Sequence, residues 1–161
     1  HDIAIKAFTK LGLPLKVFGG TFASYGLEQF KKNAGKNIEF LGEIDEEQKW
    51  DLMKRAKAFV FPSEQEDFGI IPVEAMAAGT PVIALNQGGV KETVIEGKTG
   101  LFFDERTPES LAEAVLRFED LSMQRKMKFK SEDCVNQAKK FSKERFKKEM
   151  LQFVHAKLKE K

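Results

Sequence analysis

The sequence predicts an α/β fold, a doubly wound parallel sheet with helices on both faces and further helices at the C-terminal end. Two observations predict it. Short, largely apolar runs such as Leu15-Lys16-Val17-Phe18, Ala58-Phe59-Val60-Phe61 and Pro81-Val82-Ile83-Ala84-Leu85 alternate with stretches of helical periodicity. These runs are not the strict polar–apolar alternation of a sheet wetted on one side, so they suit strands covered on both faces. Strand–helix alternation implies βαβ units with right-handed crossovers.

The elements follow in order. Ile3, Ala4, Ala7, Phe8 and Leu11 form a helical stripe ended by Gly12. The strand at 15–18 stops at Gly19-Gly20, and residues 24–34 read as a helix. Ile38-Glu39-Phe40-Leu41 is a strand ending at Gly42, and 45–56 is a helix with Asp45 as N-cap. The strand at 58–61 is halted by Pro62, and a helix starts at Pro72 and ends before Gly79. After the strand at 81–85 come a short helix at 90–95, a strand at 100–103, and a helix from Pro108 to about 118 capped by Thr107. Residues 122–139 and 142–158 carry two more helical patterns. In the last, Phe146, Met150, Phe153, Val154 and Leu158 share one face, with lysines opposite and Glu144/Lys148 spaced as an i,i+4 pair. The 161 residues form one domain, 1–161, with no internal repeat.

Composition excludes several function classes. The chain is 42% hydrophobic and 32% charged, as in a globular protein, and no apolar run nears the roughly 20 residues of a transmembrane helix. The lone cysteine, Cys134, permits no internal disulfide, reads as structural, and fits a reducing cytoplasm. Net charge is +2, but residues 139–161 alone carry +6, so the body is −4 and shows no nucleic-acid footprint. The two histidines, His1 and His155, stand at opposite ends and make no metal constellation. The chain opens directly in a helical pattern, which reads as a start inside a longer protein.

In a doubly wound sheet, ligands bind beyond the carboxyl ends of the strands, which selects the loops at 19–24, 42–45, 62–71 and 86–90. The richest is 62–71. Proline at the start of a helix loses no intrahelical bond, so the amides of Gly69, Ile70, Ile71 and Val73 are expected around a helix N-terminus. Unpaired amides and the helix dipole there suit a diphosphate. Two carboxylates flank that anion site, Glu66 in the loop and Glu74 in the first helical turn. Glu74 has two readings. A carboxylate in a first turn stabilises the helix by itself, and its two oxygens also match the two hydroxyls of a ribose, with Glu66 then facing a sugar. Glu66 alone reads as a solvated loop residue more often than as a site residue.

The string running from Pro62-Ser63 through Glu66-Asp67-Phe68-Gly69-Ile70, Pro72-Val73-Glu74-Ala75-Met76-Ala77-Ala78-Gly79 and Thr80-Pro81-Val82-Ile83-Ala84 resembles glycosyltransferase family 4. Asn37-Ile38-Glu39-Phe40-Leu41-Gly42, Gly88-Gly89-Val90-Lys91-Glu92 and Gly97-Lys98-Thr99-Gly100-Leu101-Phe102 resemble further motifs of that family in their expected order, so the likeness covers about residues 1–118. It implies the GT-B architecture, of which this chain is the Rossmann-like, donor-binding half. It implies that Glu74 holds the ribose and Glu66, the catalytic candidate, contacts the donor sugar, while backbone groups of Phe68, Gly69, Ile70 and Ile71 cradle sugar and phosphates. Gly42, Glu43 and Ile44 are expected at the base, and Gly19 and Gly20 at the nucleotide, although a glycine pair also reads as a simple turn.

The resemblance further implies a retaining transfer that needs no divalent metal and no cofactor beyond the nucleotide sugar. The family's cationic loop, an Arg and a Lys, precedes a helix that matches Asp2 to Phe8, so those cations, the first strand and loop of the domain and the acceptor-binding N-terminal domain are expected partners outside this chain, which alone is expected not to transfer sugar. Glu-Asp-Phe-Gly-Ile-x-Pro-Val-Glu resembles mannosyltransferases acting on lipid-linked glycans and favours GDP-mannose over UDP-sugars. The basic tail reads either as a helix docked on the other domain or as a peripheral contact with the inner membrane face. A glycan phosphorylase would need a Schiff-base lysine motif and a receiver module a phosphoacceptor aspartate. Neither is evident, which leaves an inactive sugar-nucleotide-binding subunit as the rival.

Overall fold

The computed structural model describes residues 1–19, 27–64, 66–123 and 129–159. Helix α1 (Asp2–Leu11) ends at Gly12, whose left-handed φ of 69° lets its amide close onto Phe8 O. Strand β1 (Leu15–Phe18), helix α2 (Leu27–Asn33) and strand β2 (Ile38–Gly42) follow. Asn37 fixes the approach to β2, its side-chain amide donating to Phe8 O at 2.9 Å and Leu13 O at 2.6 Å. Helix α3 (Glu46–Arg55) starts in a full capping box, with Asp45 accepting from the Gln48 amide and Gln48 accepting from the Asp45 amide. Then come β3 (Phe59–Phe61), α4 (Ile70–Ala77), β4 (Val82–Leu85), the short α5 (Val90–Thr93), β5 (Gly100–Phe103) and α6 (Pro108–Met123), where the Thr107 hydroxyl accepts from the Ser110 amide.

The strands are parallel, as the sequence predicts. They form two ladders, β1–β2 and β3–β4–β5, and no described strand joins them. Counted from two, these are the 3-2 and 4-5-6 neighbours of a doubly wound sheet, with no described strand in the first position. The consequence shows in burial. The central strand β4 is buried along its whole length, whereas Phe59, Val60 and Phe61 of β3, paired on one side only, are all half-buried.

Two apolar layers cover β4 and β5. Ile83, Leu85, Leu101 and Phe103 point toward α1 and α6, while Val82 and Ala84 meet Met53, Ala75, Met76, Val90 and Cys134. The alternation along each strand decides which layer a side chain joins. The period-2 pattern is invisible in the sequence because both faces are apolar.

The C-terminal end corrects one expectation. Residues 122–139 are not one helix. Helix α6 runs to Met123, Lys130 is extended at φ −85° and ψ 129°, and α7 spans Ser131–Lys139. Phe129 stacks on Phe118 of α6, ring centroids 4.7 Å apart, and α7 lies against α4. Helix α8 (Lys143–Lys159) buries no residue, and Phe146, Met150, Phe153, Val154 and Leu158 are exposed. Its i,i+4 ion pair is Arg145–Glu149 at 2.7 Å rather than Glu144–Lys148. No helix among the described residues is long and apolar enough to cross a membrane.

Candidate functional site

The loop after β3 enters α4 earlier than the sequence suggests. The helix begins at Ile70, so Pro72 is its third residue rather than its first. Gly69 makes the difference. It is the N-cap in a left-handed conformation, φ 79° and ψ 68°, which a side chain rarely adopts. Proline at the third position still removes no helical bond, because the first four amides of a helix have no intrahelical acceptor. Those of Gly69, Ile70 and Ile71 are therefore available for an anion. Val73 is the fourth helical residue, where a first i→i−4 bond usually falls, but its amide makes no hydrogen bond to Gly69 O.

A second loop holds the first in place. The Gly89 amide donates to Glu66 O at 2.9 Å. A Cβ on Gly88 would lie 2.5 Å from Glu66 O, and one on Gly89 would lie 2.5 Å from Phe68 Cα and closer still to Asp67 O. The pair after β4 is thus glycine because the backbone of residues 66–68 rests on it. The sequence marks Gly88-Gly89 as a motif, but nothing in it tells that the contact partner is 66–68. Glu66 keeps its carboxylate unengaged by any described residue, with its Cγ 3.6 Å from where a Gly69 Cβ would stand.

Glu74 is engaged. Its Oε2 accepts from Lys49 Nζ at 3.1 Å, and the same ammonium donates to Glu46 Oε1 at 2.9 Å. Burial pulls the Lys49 ammonium down, and the hydrogen bonds to Glu46 and Glu74 outweigh that, so its pKa stands above the ordinary lysine value. Lys49 escaped the sequence reading. It lies 25 residues from Glu74, on α3, and no local pattern signals the pairing.

The other predicted positions sit at the carboxyl ends of β1 and β2. The Gly19 amide donates to Gly42 O at 2.8 Å, and both glycines have positive φ, 140° and 69°. Glu43 is exposed and Ile44 half-buried, on the stretch that leads into α3 and Lys49. Gly20 lies outside the described residues. Phe68, Ile70 and Ile71 present exposed side chains, and Phe68 sets its ring edge-on to Phe141, between α7 and α8, at 5.6 Å. Arg106, after β5, pairs with Glu64 at 3.5 Å and Asp2 at 3.7 Å. The structure therefore joins Glu66 to the Gly88-Gly89 loop and Glu74 to α3, without a hydrogen bond between the two carboxylates. A cavity of about 320 Å³, lined by Asp2, Ile5, Lys6, Phe30 and Asn33, contains none of the predicted donor residues.

Comparison with known proteins gives this arrangement a family. Residues 1–141 match the family described as glycosyl transferases group 1. The chain belongs to the group 1 glycosyltransferases. It is 38% identical over 122 residues to the glycogen synthase of Mycobacterium tuberculosis, covering 71% of this chain and 29% of that protein. It is 46% identical over 76 residues to the alpha-1,3/1,6-mannosyltransferase ALG2 of Dictyostelium discoideum, covering 47% and 16%. The group 1 domain thus spans less than a third of these curated relatives. Among solved structures it resembles sucrose-phosphate synthase from Thermosynechococcus elongatus, at a TM-score of 0.80 and 25% identity over 99% of this chain and 42% of that one. It also resembles Anabaena HepE in complex with UDP and glucose, at 0.76 and 20% over 96% and 44%. These neighbours are GT-B glycosyltransferases, and the α/β fold of this group 1 chain is that of one part of them.

Proposed function

We propose that this chain is the donor-binding half of a retaining hexosyltransferase of the GT-B type that takes a nucleotide-diphospho-sugar. The observation that carries the reading is the start of α4, where left-handed Gly69 leaves three amides available between an unengaged Glu66 and an anchored Glu74. In this reading the amides receive the diphosphate, Glu74 accepts from the ribose hydroxyls and Glu66 contacts the sugar. Gly19 and Gly42 allow the nucleotide close to the backbone, and Glu43 and Ile44 meet the base. No metal is assigned a role. The two cations beside the loop carboxylates, Lys49 and Arg106, are each already held by two carboxylates. Neutralisation of the leaving diphosphate is therefore assigned to cations outside this chain, and the acceptor to a further domain. An extended segment of that longer polypeptide would fill the first position of the sheet, a reading supported by β1 and β3 each being paired on one flank only.

GDP-mannose is the favoured donor, supported by the identity to a mannosyltransferase across the stretch that the two share. A second reading, a UDP-glucosyl donor, is supported by the neighbour that binds UDP and glucose. The test is a thermal-shift panel of GDP, UDP and ADP with their sugars, since a site-specific ligand raises the midpoint with concentration. One nucleotide series is expected to raise it. Glu74→Gln should weaken the bare nucleotide and its sugar alike, and Glu66→Gln the sugar nucleotide chiefly. No response to any nucleotide, or equal loss of bare-nucleotide affinity in both variants, refutes the assignment.

A further inference from the structure

Lys49 is a charged group in contact with the proposed site that the donor reading does not use. It reaches across from α3 to α4, its side chain is only 16% exposed, and Glu74 beside it is 28% exposed. Its other partner, Glu46, is 78% exposed, so the ammonium is braced from the solvent side while it points inward at Glu74. An ordinary exposed ion pair holds little, and its loss is felt only slightly. This pair differs, because a nucleotide seated on α4 would take the remaining water from Glu74, and an ionised carboxylate loses water at a high energetic cost unless it is paired.

We propose that Lys49 is a positioning residue for ribose recognition, holding the Glu74 carboxylate in one orientation so that it accepts from both hydroxyls of a nucleotide's ribose. This rests on the assignment of Glu74 to the ribose. The stereochemistry permits both partners at once. A carboxylate offers about four lone-pair sites, Lys49 takes one on Oε2, and the remainder can face a diol. The same helix α3 begins directly after Gly42, Glu43 and Ile44, pinned by the Asp45–Gln48 capping box. Lys49 thereby ties the segment assigned to the base to the carboxylate assigned to the ribose, through one rigid element.

The test compares a ribonucleoside diphosphate with its 2′,3′-dideoxy counterpart, using whichever base the chain prefers, by calorimetric titration of the chain and its variants. Two hydroxyls donating to a charged acceptor predict a roughly ten- to hundredfold preference for the ribose form in the parent. Lys49→Met is expected to shrink that preference to about threefold or less while leaving dideoxynucleotide affinity within about twofold, and Lys49→Arg to restore most of it. Glu46→Gln, on an exposed side chain that does not threaten folding, should move the preference the same way by a smaller factor and stands in if Lys49→Met does not fold. Equal loss of both ligands in the lysine variant would make Lys49 a phosphate contact or a purely structural pair and overturn the proposal, as would an unchanged preference or a gain in ribonucleotide affinity. A parent that binds nucleotide without preferring ribose overturns the role of Glu74, and a parent that binds no nucleotide overturns the donor reading itself. The failures are therefore separable.

Discussion

Gly89→Ala isolates the contact between the two loops. The backbone of Gly89 is right-handed, φ −63° and ψ −19°, so alanine meets no conformational barrier there. With open space around it, the change would stabilise the protein by about 0.4–1 kcal/mol through the unfolded chain. Space is what is missing. The new Cβ would stand 2.5 Å from Phe68 Cα and 2.7 Å from Asp67 C, both backbone atoms that no rotamer change can remove. Carbon–carbon contact is comfortable from about 3.5 Å, so the loops must part by roughly 1 Å. Overpacking of this kind costs about 1–3 kcal/mol. The net loss is then about 0–2.5 kcal/mol, or a melting temperature lower by up to about 10 °C for a domain of this size. The opening also pulls Glu66 O from the Gly89 amide, and shifts of about 1 Å at a site can cost roughly a hundredfold. The assay is thermal melting with and without the best nucleotide sugar. Gly12→Ala is the control, because its φ of 69° carries a cost of about 1–2 kcal/mol far from the site with nothing near its Cβ. Gly12→Ala should melt lower yet keep its ligand response, and Gly89→Ala should lose the response. A Gly89→Ala protein that melts above the parent, or that keeps the full response, refutes the reasoning.

Two further outcomes follow from the structure. Burial, with the Asp133 charge beside it, pushes the Cys134 thiol up to about 11, so at pH 8 its thiolate fraction is roughly two hundredfold below that of a free cysteine. A thiol reagent should label it about that much more slowly in the folded protein than in denaturant, and equal rates would contradict its burial. The same shift makes stability complete below about pH 8.5 and lost as pH rises through about 11, because the unfolded thiol ionises first, so melting temperatures should fall across that window and not below it. For α8, whose apolar face is exposed among the described residues, docking on another domain predicts no pelleting with anionic vesicles at physiological salt. Salt-sensitive pelleting that disappears on deleting 143–159 would favour the membrane reading instead.

Much of the fold was legible because its signals are local. The Gly12 stop, the Asp45 cap, the Thr107 cap and the five apolar runs each declare themselves within a few residues, and each stands within about two residues of its expected place. Errors arose where a residue's conformation or partner is set from a distance. Pro72 looked like the first residue of a helix because proline favours that place, and only the left-handed Gly69 shows that the helix starts two residues earlier. Residues 122–139 carry a helical period, but Lys130 is extended and Phe129 stacks on Phe118. The split of the sheet into two ladders is a matter of pairing, which no single strand encodes.

The same distinction governs the site. The loop position of Glu66 is legible in the sequence, but Glu74, expected in the first helical turn, is the fifth residue of α4 because the helix starts at Ile70, and what holds each carboxylate is not legible. Glu66 is fixed through its backbone by the turn after β4, and Glu74 through its side chain by a lysine on α3. The two carboxylates therefore answer to different elements and need not move together. A change in the Gly88-Gly89 turn displaces Glu66 and the Gly69 amides while Lys49 still holds Glu74. A change at Lys49 loosens Glu74 and leaves the loop standing. If one nucleotide sugar spans both, the first perturbation acts on its sugar and diphosphate end and the second on its ribose. Gly89→Ala should accordingly preserve the preference for ribose over dideoxyribose in whatever binding survives, and Lys49→Met should preserve the preference for a sugar nucleotide over its bare diphosphate. Loss of both preferences in either variant would mean that the two clamps form one cooperative unit, coupled through α4 itself.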